Sequence, residues 1–200
     1  MLLTSQQQDA LAEVINIAFG RAAASLSEIT GHRVLVEVPR VAVRAIGELG
    51  DELSGLIQGE IATVHQIFTG AVSGDAFLML DYQGALLLCD LLTDRQPRAP
   101  RLDASDREAL AEVGNILLNA CLGTFGNLLQ VHISFTVPRL HLEEVTDLVD
   151  SLTIGQDELR YALIIYTTFR LRESAIGGYL VIVLGIASLD RLLQAVEKLG

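Results

Sequence analysis

The sequence predicts an α/β (α+β) fold: a pseudo-twofold single domain built from two duplicated halves, in which long helices pack on a mainly antiparallel sheet. Two observations predict it. The stretch ALAEVINI at 10–17 returns as ALAEVGNI at 109–116, and VPR at 38–40 returns at 137–139, both with an offset of 99 residues. In addition, half of the 200 residues are apolar, which is enough to fill one core.

The repeat sets the predicted domain organisation, a single domain over 1–200 with internal copies at 4–94 and 103–199 and a linker at about 94–102. The linker prediction rests on TDRQPRAPR at 93–101, where alanine is the only apolar residue. Two copies are too few for a solenoid, which needs about three. Because a half with about three strands buries little surface alone, we expect one shared sheet covered by helices.

Each half is predicted to begin with a long helix, at 5–30 and at 104–130, because apolar residues recur there with helical spacing. Both starts resemble capping boxes, in which a serine is followed three residues later by Gln or Glu: Ser5 with Gln8, and Ser105 with Glu108.

The remaining segments follow in the same order in both halves. A short β segment stops at a proline: 33–38 and 132–137. A short helix or surface turn comes next: about 41–52 and 142–152. Runs rich in Ile, Val, Tyr, Phe and Thr then predict antiparallel strands: 55–68 with 74–81, and 158–172 with 176–185. A helix is predicted to close each half: 83–94 and 186–199.

Charge and hydropathy exclude several functions. A net charge of −11 would repel a phosphate backbone or an anionic lipid surface, so we expect no nucleic acid partner and no membrane insertion. The longest apolar run, at 179–189, falls short of the roughly 20 residues of a spanning helix. The first residues lack the basic start of a secretory signal. Cys89 and Cys121 lie in apolar patterns without a paired motif, which favours reduced thiols and a cytoplasmic protein.

The usual signatures of an active site are missing from the sequence. Lys198 is the only lysine and belongs to no P-loop motif, and no Gly-x-Ser-x-Gly elbow is present. The four histidines are not spaced as metal ligands. We therefore expect no cofactor or metal bound by this chain itself.

The repeated stretch places a glutamate and an asparagine on one helix face. Glu13 and Asn16 are three residues apart, so they project within about 60° of each other, and Asp9 lies one turn earlier. The opposite face is apolar: Leu11, Ile15, Ala18, Ala22 and Leu26. The second half repeats the polar face, with Asn119 in the place of Gly20: Glu108, Glu112, Asn115 and Asn119.

A solvated helix face would explain one such pair, but two details favour a functional role. Asparagine inside a helix costs about 0.5 kcal/mol relative to alanine. The halves have also diverged at most other positions, whereas the Glu, the Asn and a proline remain in register in both.

The spacing of Asp9, Glu13, Asn16 and Pro39 resembles the Asp/Ser-x3-Glu-x2-Asn-x22-Pro signature of the CheC family of chemotaxis phosphatases, within the CheC/CheX/FliY superfamily. The second half repeats this signature with Glu112, Asn115 and Pro138, and the resemblance covers essentially the whole chain. The departure is Glu108, where the family has Asp or Ser. Its alternative role is the third residue of the capping box that Ser105 would begin.

The resemblance implies hydrolysis of the aspartyl phosphate of a CheY-like response regulator, which would itself carry Mg²⁺. Asn16 and Asn115 are then expected to align the attacking water. Glu13 and Glu112 would pair with the active-site lysine of the regulator or act as weak bases, and pairing is favoured. The two prolines are expected to end a strand and fix the loop beside the helix, and Asp9 to tune the rim of the first site.

Three alternatives remain at this level. The switch-associated FliY relatives carry the same motifs with an added C-terminal domain and an N-terminal peptide, which this sequence lacks, so a free-standing CheC-like protein is expected. The duplicated surface could instead serve a non-catalytic adaptor for the receptor deamidase CheD. A structural role unrelated to phosphate signalling is the third.

Overall fold

The computed structural model describes residues 3–93, 101–153, 160–171 and 173–198. Within them the helices are α1 (Ser5–Thr30), α2 (Leu49–Leu56), α3 (Tyr82–Thr93), α4 (Ala104–Leu129), α5 (Val145–Thr153) and α6 (Ile186–Glu197). The strands are β1 (Val34–Val36), β2 (Arg40–Ala45), β3 (Glu60–Gly70), β4 (Gly74–Asp81), β5 (Ile133–Phe135), β6 (Arg139–Glu144), β7 (Arg160–Leu171) and β8 (Ser174–Gly185). A turn of 3-10 helix, Ile46–Glu48, leads into α2.

The strands form one antiparallel sheet, which confirms the predicted fold class. Its order is β1, β7, β8, β4, β3, β5, with β2 following β1 along β7 and β6 following β5 along β3. The short strands of each half therefore pair with a long strand of the other half. Together with the pairing of β4 with β8, this exchange joins the halves in one sheet, although their origin by duplication remains a prediction.

The two faces of the sheet carry separate cores. The larger core lies between the sheet and the four helices α1, α3, α4 and α6. The smaller core lies on the opposite face, under α2 and α5. The alternation of side chains along β3 supplies both, since Val64 and Phe68 face the first core whereas Ile61 faces the second. Both long helices consequently lie on one side of the sheet, where α1 and α4 pack against each other.

The capping residues differ from those predicted. Thr4 caps α1 in a capping box with Gln7, and Asp103 caps α4 in one with Asp106. The predicted boxes, Ser5 with Gln8 and Ser105 with Glu108, are therefore wrong: Ser5 and Ser105 lie inside the helices. An N-cap needs extended backbone, which is found at Thr4 (ψ 157°) and Asp103 (ψ −178°).

A β-bulge surrounds Pro39. Val36 pairs with Phe169. Arg40 pairs with Tyr166, so the segment from β1 to β2 contains one residue more than the part of β7 that it faces. Proline suits this position because it has no N–H to donate to the sheet. The proline therefore interrupts the pairing but does not end it.

The second half has the same bulge at Pro138. Phe135 pairs with Phe68. Arg139 pairs with His65, which again leaves one extra residue on the segment that contains the proline. β1 and β5 end before the prolines, as predicted. One prediction is corrected by this geometry: the segments after the prolines, predicted as helix or turn from about 41 and 142, contain the strands β2 and β6.

Two further predictions concern α4 and the linker. By length and composition alone, α4 is the described helix that could cross a membrane, but half of its apolar window is buried inside the protein. A core helix has the same composition, so this observation is weak evidence for a membrane span. Of the predicted linker at about 94–102, residues 94–100 lie outside the described residues.

Candidate functional site

The first Glu–Asn pair lies on the solvent side of α1. Asp9 and Glu13 are exposed, and Asn16 is half-buried at the edge of the same face. On the opposite side of the helix, Leu11 and Ile15 are completely buried. The sequence correctly predicted which face of the helix is polar and which is core.

Two hydrogen bonds fix β1 and β2 alongside α1. Gln8 Nε2 donates to the Val41 carbonyl at 3.0 Å near the start of the helix, and Val34 N donates to Ser27 Oγ at 2.9 Å near its end. The helix rises about 28 Å between its two bonded residues. The extended segment spans about 23 Å between its own. The segment therefore runs antiparallel to the helix along nearly its whole length.

This alignment places Val38 and Pro39 level with the part of α1 that carries Glu13 and Asn16. Pro39 is buried, whereas Val38 is 72% exposed and Ile17, beside Asn16, is 47% exposed. The structure thus brings the segment with the distant proline alongside the stretch of α1 that carries the Glu and the Asn. Val38 and Ile17 are exposed apolar side chains of these two segments.

The second pair has the same placement on α4. Glu112 is exposed, Asn115 is half-buried, and Glu108 is exposed one turn before Glu112. Pro138 is half-buried at its bulge. One contact has no counterpart in the first half: Asn119 Nδ2 donates to Asn115 Oδ1 at 2.7 Å.

The bulge of the second half is held by side chains of β3 and of the bulge itself. Gln66 Nε2 donates to the Thr136 carbonyl at 2.8 Å, and Ile67 N donates to Thr136 Oγ1 at 3.0 Å. These bonds satisfy backbone groups that the interrupted ladder would otherwise leave unpaired. They fix the segment in which Val137 and Pro138 are presented.

Val38 and Val137 are residues that the sequence analysis missed. At 72% and 84% they are the most exposed large hydrophobic side chains in the part of the chain that the structure describes. Each directly precedes the proline at a bulge. The available signal was the valine of the repeated VPR. Exposed apolar side chains beside a polar motif suit contact with another protein.

Each of the two surfaces offers an exposed carboxylate and a half-buried carboxamide. Two cavities, of about 460 and 330 Å³, are lined by other residues. Among the described residues, no group of three or more His, Cys, Asp and Glu side chains could hold a metal ion. A carboxamide both accepts and donates hydrogen bonds. Such a surface can orient a group that a partner protein brings to it.

The chain is similar to two curated proteins of Bacillus subtilis strain 168. It is 24% identical over 159 residues to the flagellar motor switch phosphatase FliY, covering 78% of this chain and 41% of that protein. It is 25% identical over 149 residues to the CheY-P phosphatase CheC, covering 70% of this chain and 68% of that protein. The chain thus spans less than half of the first of these relatives. No protein-family model matches it.

Among solved structures, the fold is similar to that of Thermotoga maritima FliY. The TM-score is 0.80 at 21% sequence identity, with 99% of both chains covered. Fold and sequence similarity, with the repeated motif, support the resemblance to the CheC/CheX/FliY family of chemotaxis and flagellar-switch phosphatases.

Proposed function

We propose that the chain is a protein phosphatase that hydrolyses the aspartyl phosphate of a CheY-like response regulator in chemotaxis signalling. One observation carries the proposal: the Glu–Asn pair occurs twice on exposed helix surface, each time in a half that presents an exposed valine and a proline at a β-bulge. The similarity to a protein named CheY-P phosphatase CheC supports this reaction.

The asparagines are proposed to align the attacking water. Water adds to phosphorus, and the bond from phosphorus to the aspartyl oxygen breaks, giving inorganic phosphate and a free carboxylate. Phosphoryl transfer to water passes through a loose transition state, which requires positioning and charge stabilisation more than a strong base. The carboxamide oxygen of Asn16 or Asn115 accepts a hydrogen bond from the water, and its amide donates to a phosphoryl oxygen.

The glutamates are proposed to bind and orient the regulator. Glu13 and Glu112 are exposed carboxylates, which suit an ion pair with the active-site lysine of the regulator better than proton abstraction. This chain cannot supply that lysine near the motifs, because its only lysine is Lys198. The Mg²⁺ that neutralises the phosphoryl group is likewise assigned to the regulator.

The surroundings of each pair are proposed to be the docking surface. Val38 and Ile17 give the first site apolar contact area, and Asp9 tunes its rim. Pro39 and Pro138 act through the bulges, by fixing the backbone that presents the neighbouring valines. Such a site needs no pocket, because the partner brings the reacting group.

The test is the decay of a phosphorylated CheY-like regulator from the same organism, after removal of the phosphodonor. Wild type is compared with Asn16→Ala, Asn115→Ala and the double variant. We expect the double variant to lose at least about 100-fold in turnover, the scale on which a lost positioning group acts. Its binding to the regulator, measured by titration, should change little.

Glu28→Gln is the matched control, since Glu28 is an exposed glutamate further along α1, outside the motif. It should behave as wild type. If wild type does not accelerate the decay, either alone or with CheD added, the phosphatase proposal is wrong. Retained binding of CheD or of the regulator would then favour the adaptor function.

A further inference from the structure

The two Glu–Asn pairs differ in the residue one turn after the asparagine. In α4 this residue is Asn119, which is half-buried and donates from Nδ2 to Asn115 Oδ1 at 2.7 Å. Its own Oδ1 is buried and has no hydrogen-bond partner among the described residues. The Asn115 contact is therefore the only hydrogen bond that the Asn119 carboxamide makes within the described part of the chain.

In α1 the matched position is Gly20. It is exposed, and a Cβ atom built on it would meet no atom within 4 Å. Within the described ranges, no side chain or backbone group hydrogen-bonds to the carboxamide of Asn16. The first asparagine can therefore turn freely toward a partner.

The hydrogen bond in α4 constrains the atom on which the proposed chemistry depends. A carboxamide oxygen has two acceptor positions, and Asn119 occupies one of those on Asn115. Side chains four residues apart on a helix are neighbours along the helix axis, so each can restrict the orientation of the other. To align a water, Asn115 must share its oxygen or rotate away. Rotation would leave the half-buried Asn119 amide without its partner.

We propose that Asn119 restrains Asn115, which makes the second site the slower of the two and leaves most of the turnover to the first site. Asn119 is a positioning residue, because it acts through Asn115 and not on the substrate. This inference rests on the proposed phosphatase function.

The test isolates each site. The Asn16→Ala variant reports the second site alone, and Asn119→Ala is added to it. We expect kcat of that site to rise about 2- to 10-fold, the factor that one net hydrogen bond represents, with KM unchanged. The Asn115→Ala variant reports the first site alone, and adding Gly20→Asn should lower its kcat by a similar factor.

Gly20→Ala in the Asn115→Ala background is the control for the size of the new side chain, because alanine adds bulk without an amide. Its kcat should be closer to that of the Asn115→Ala parent than the kcat of Gly20→Asn is. Circular dichroism checks that every variant is folded. If Asn119→Ala leaves kcat of the second site unchanged or lowers it, the inference is overturned, even where wild type is active. Absence of turnover in wild type would instead overturn the proposed function itself.

Discussion

The long helices α1 and α4 have the same exposed Glu–Asn pair but different contacts on their buried sides. Ile15 in α1 is completely buried. The matched residue in α4 is Gly114, where a Cβ would overlap the side chain of Val64 on β3. This core position therefore differs between the two helices, whereas the exposed pair is the same. Core packing therefore does not account for the pair, which favours a role at the surface.

The largest effect is expected at matched core positions that have stayed the same. Leu11 and Leu110 are both almost completely buried. Replacing either by alanine removes buried methyl groups and leaves a cavity, so each change should cost about 2–5 kcal/mol in the free energy of unfolding. Urea unfolding measures this. A loss below about 1 kcal/mol in one helix only would show that the halves do not share one cooperative core.

A smaller loss is expected where the helices differ. Gly114→Ala forces Val64 or the backbone of α4 to shift, which should cost about 1–3 kcal/mol in the free energy of unfolding. Gly123→Ala on the same helix is the control, because a Cβ there would meet no atom within 4 Å. That change should stabilise the protein by up to about 1 kcal/mol. Equal effects at both glycines would contradict the close contact of α4 with β3.

The N-terminal caps give a third comparison. Thr4→Ala and Asp103→Ala each remove a capping box, which should cost about 0.5–2 kcal/mol. The loss at Asp103 should be the larger, because its carboxylate also interacts with the positive end of the helix dipole. Thermal unfolding followed by circular dichroism measures the difference. Ser5→Ala is the control, and an effect at this serine equal to that at Thr4 would restore the cap of α1 that is predicted from the sequence.

The smallest expected effect is that a buried thiol does not react with a thiol reagent while the protein is folded. Cys121 of α4 occupies the position of Ala22 in α1 and is fully buried, and burial raises the pKa of its thiol. A raised pKa keeps the thiol protonated and unreactive at pH 8. In a Cys89→Ala variant, Ellman's reagent should therefore label Cys121 only at the rate of unfolding. Rapid labelling of the folded protein would contradict the packing of α4 against the sheet.

Most of the secondary structure could be predicted from the sequence, because it depends on local patterns. The helical spacing of apolar residues gave α1 and α4 within a residue or two of their ends. The runs of β-branched and aromatic residues gave the four long strands, although the first was predicted from 55 and begins at Glu60, after the end of α2. The same spacing gave the exposed face with Glu13 and Glu112, since the direction of a helical side chain follows from its position.

Other features depend on contacts between distant segments, which local patterns do not record. The strands β2 and β6 could not be predicted locally, because the glycines and acidic residues after β2 and the acidic residues around the end of β6 resemble a surface turn. Their partners lie in the other half of the chain. The bulges at Pro39 and Pro138 likewise depend on the register with strands of the other half.

The sequence by itself determined the class of fold, the family signature and the residues on the exposed faces of α1 and α4, because period and spacing are properties of the chain. Only the tertiary structure decided that Pro39 lies level with Glu13 and Asn16, and that Val38 and Val137 are exposed at bulges. It also decided that Asn119 is bonded to Asn115. These facts depend on how strands from the two halves pair and how the helices lie on them, and a pairing register is fixed only when the whole sheet forms.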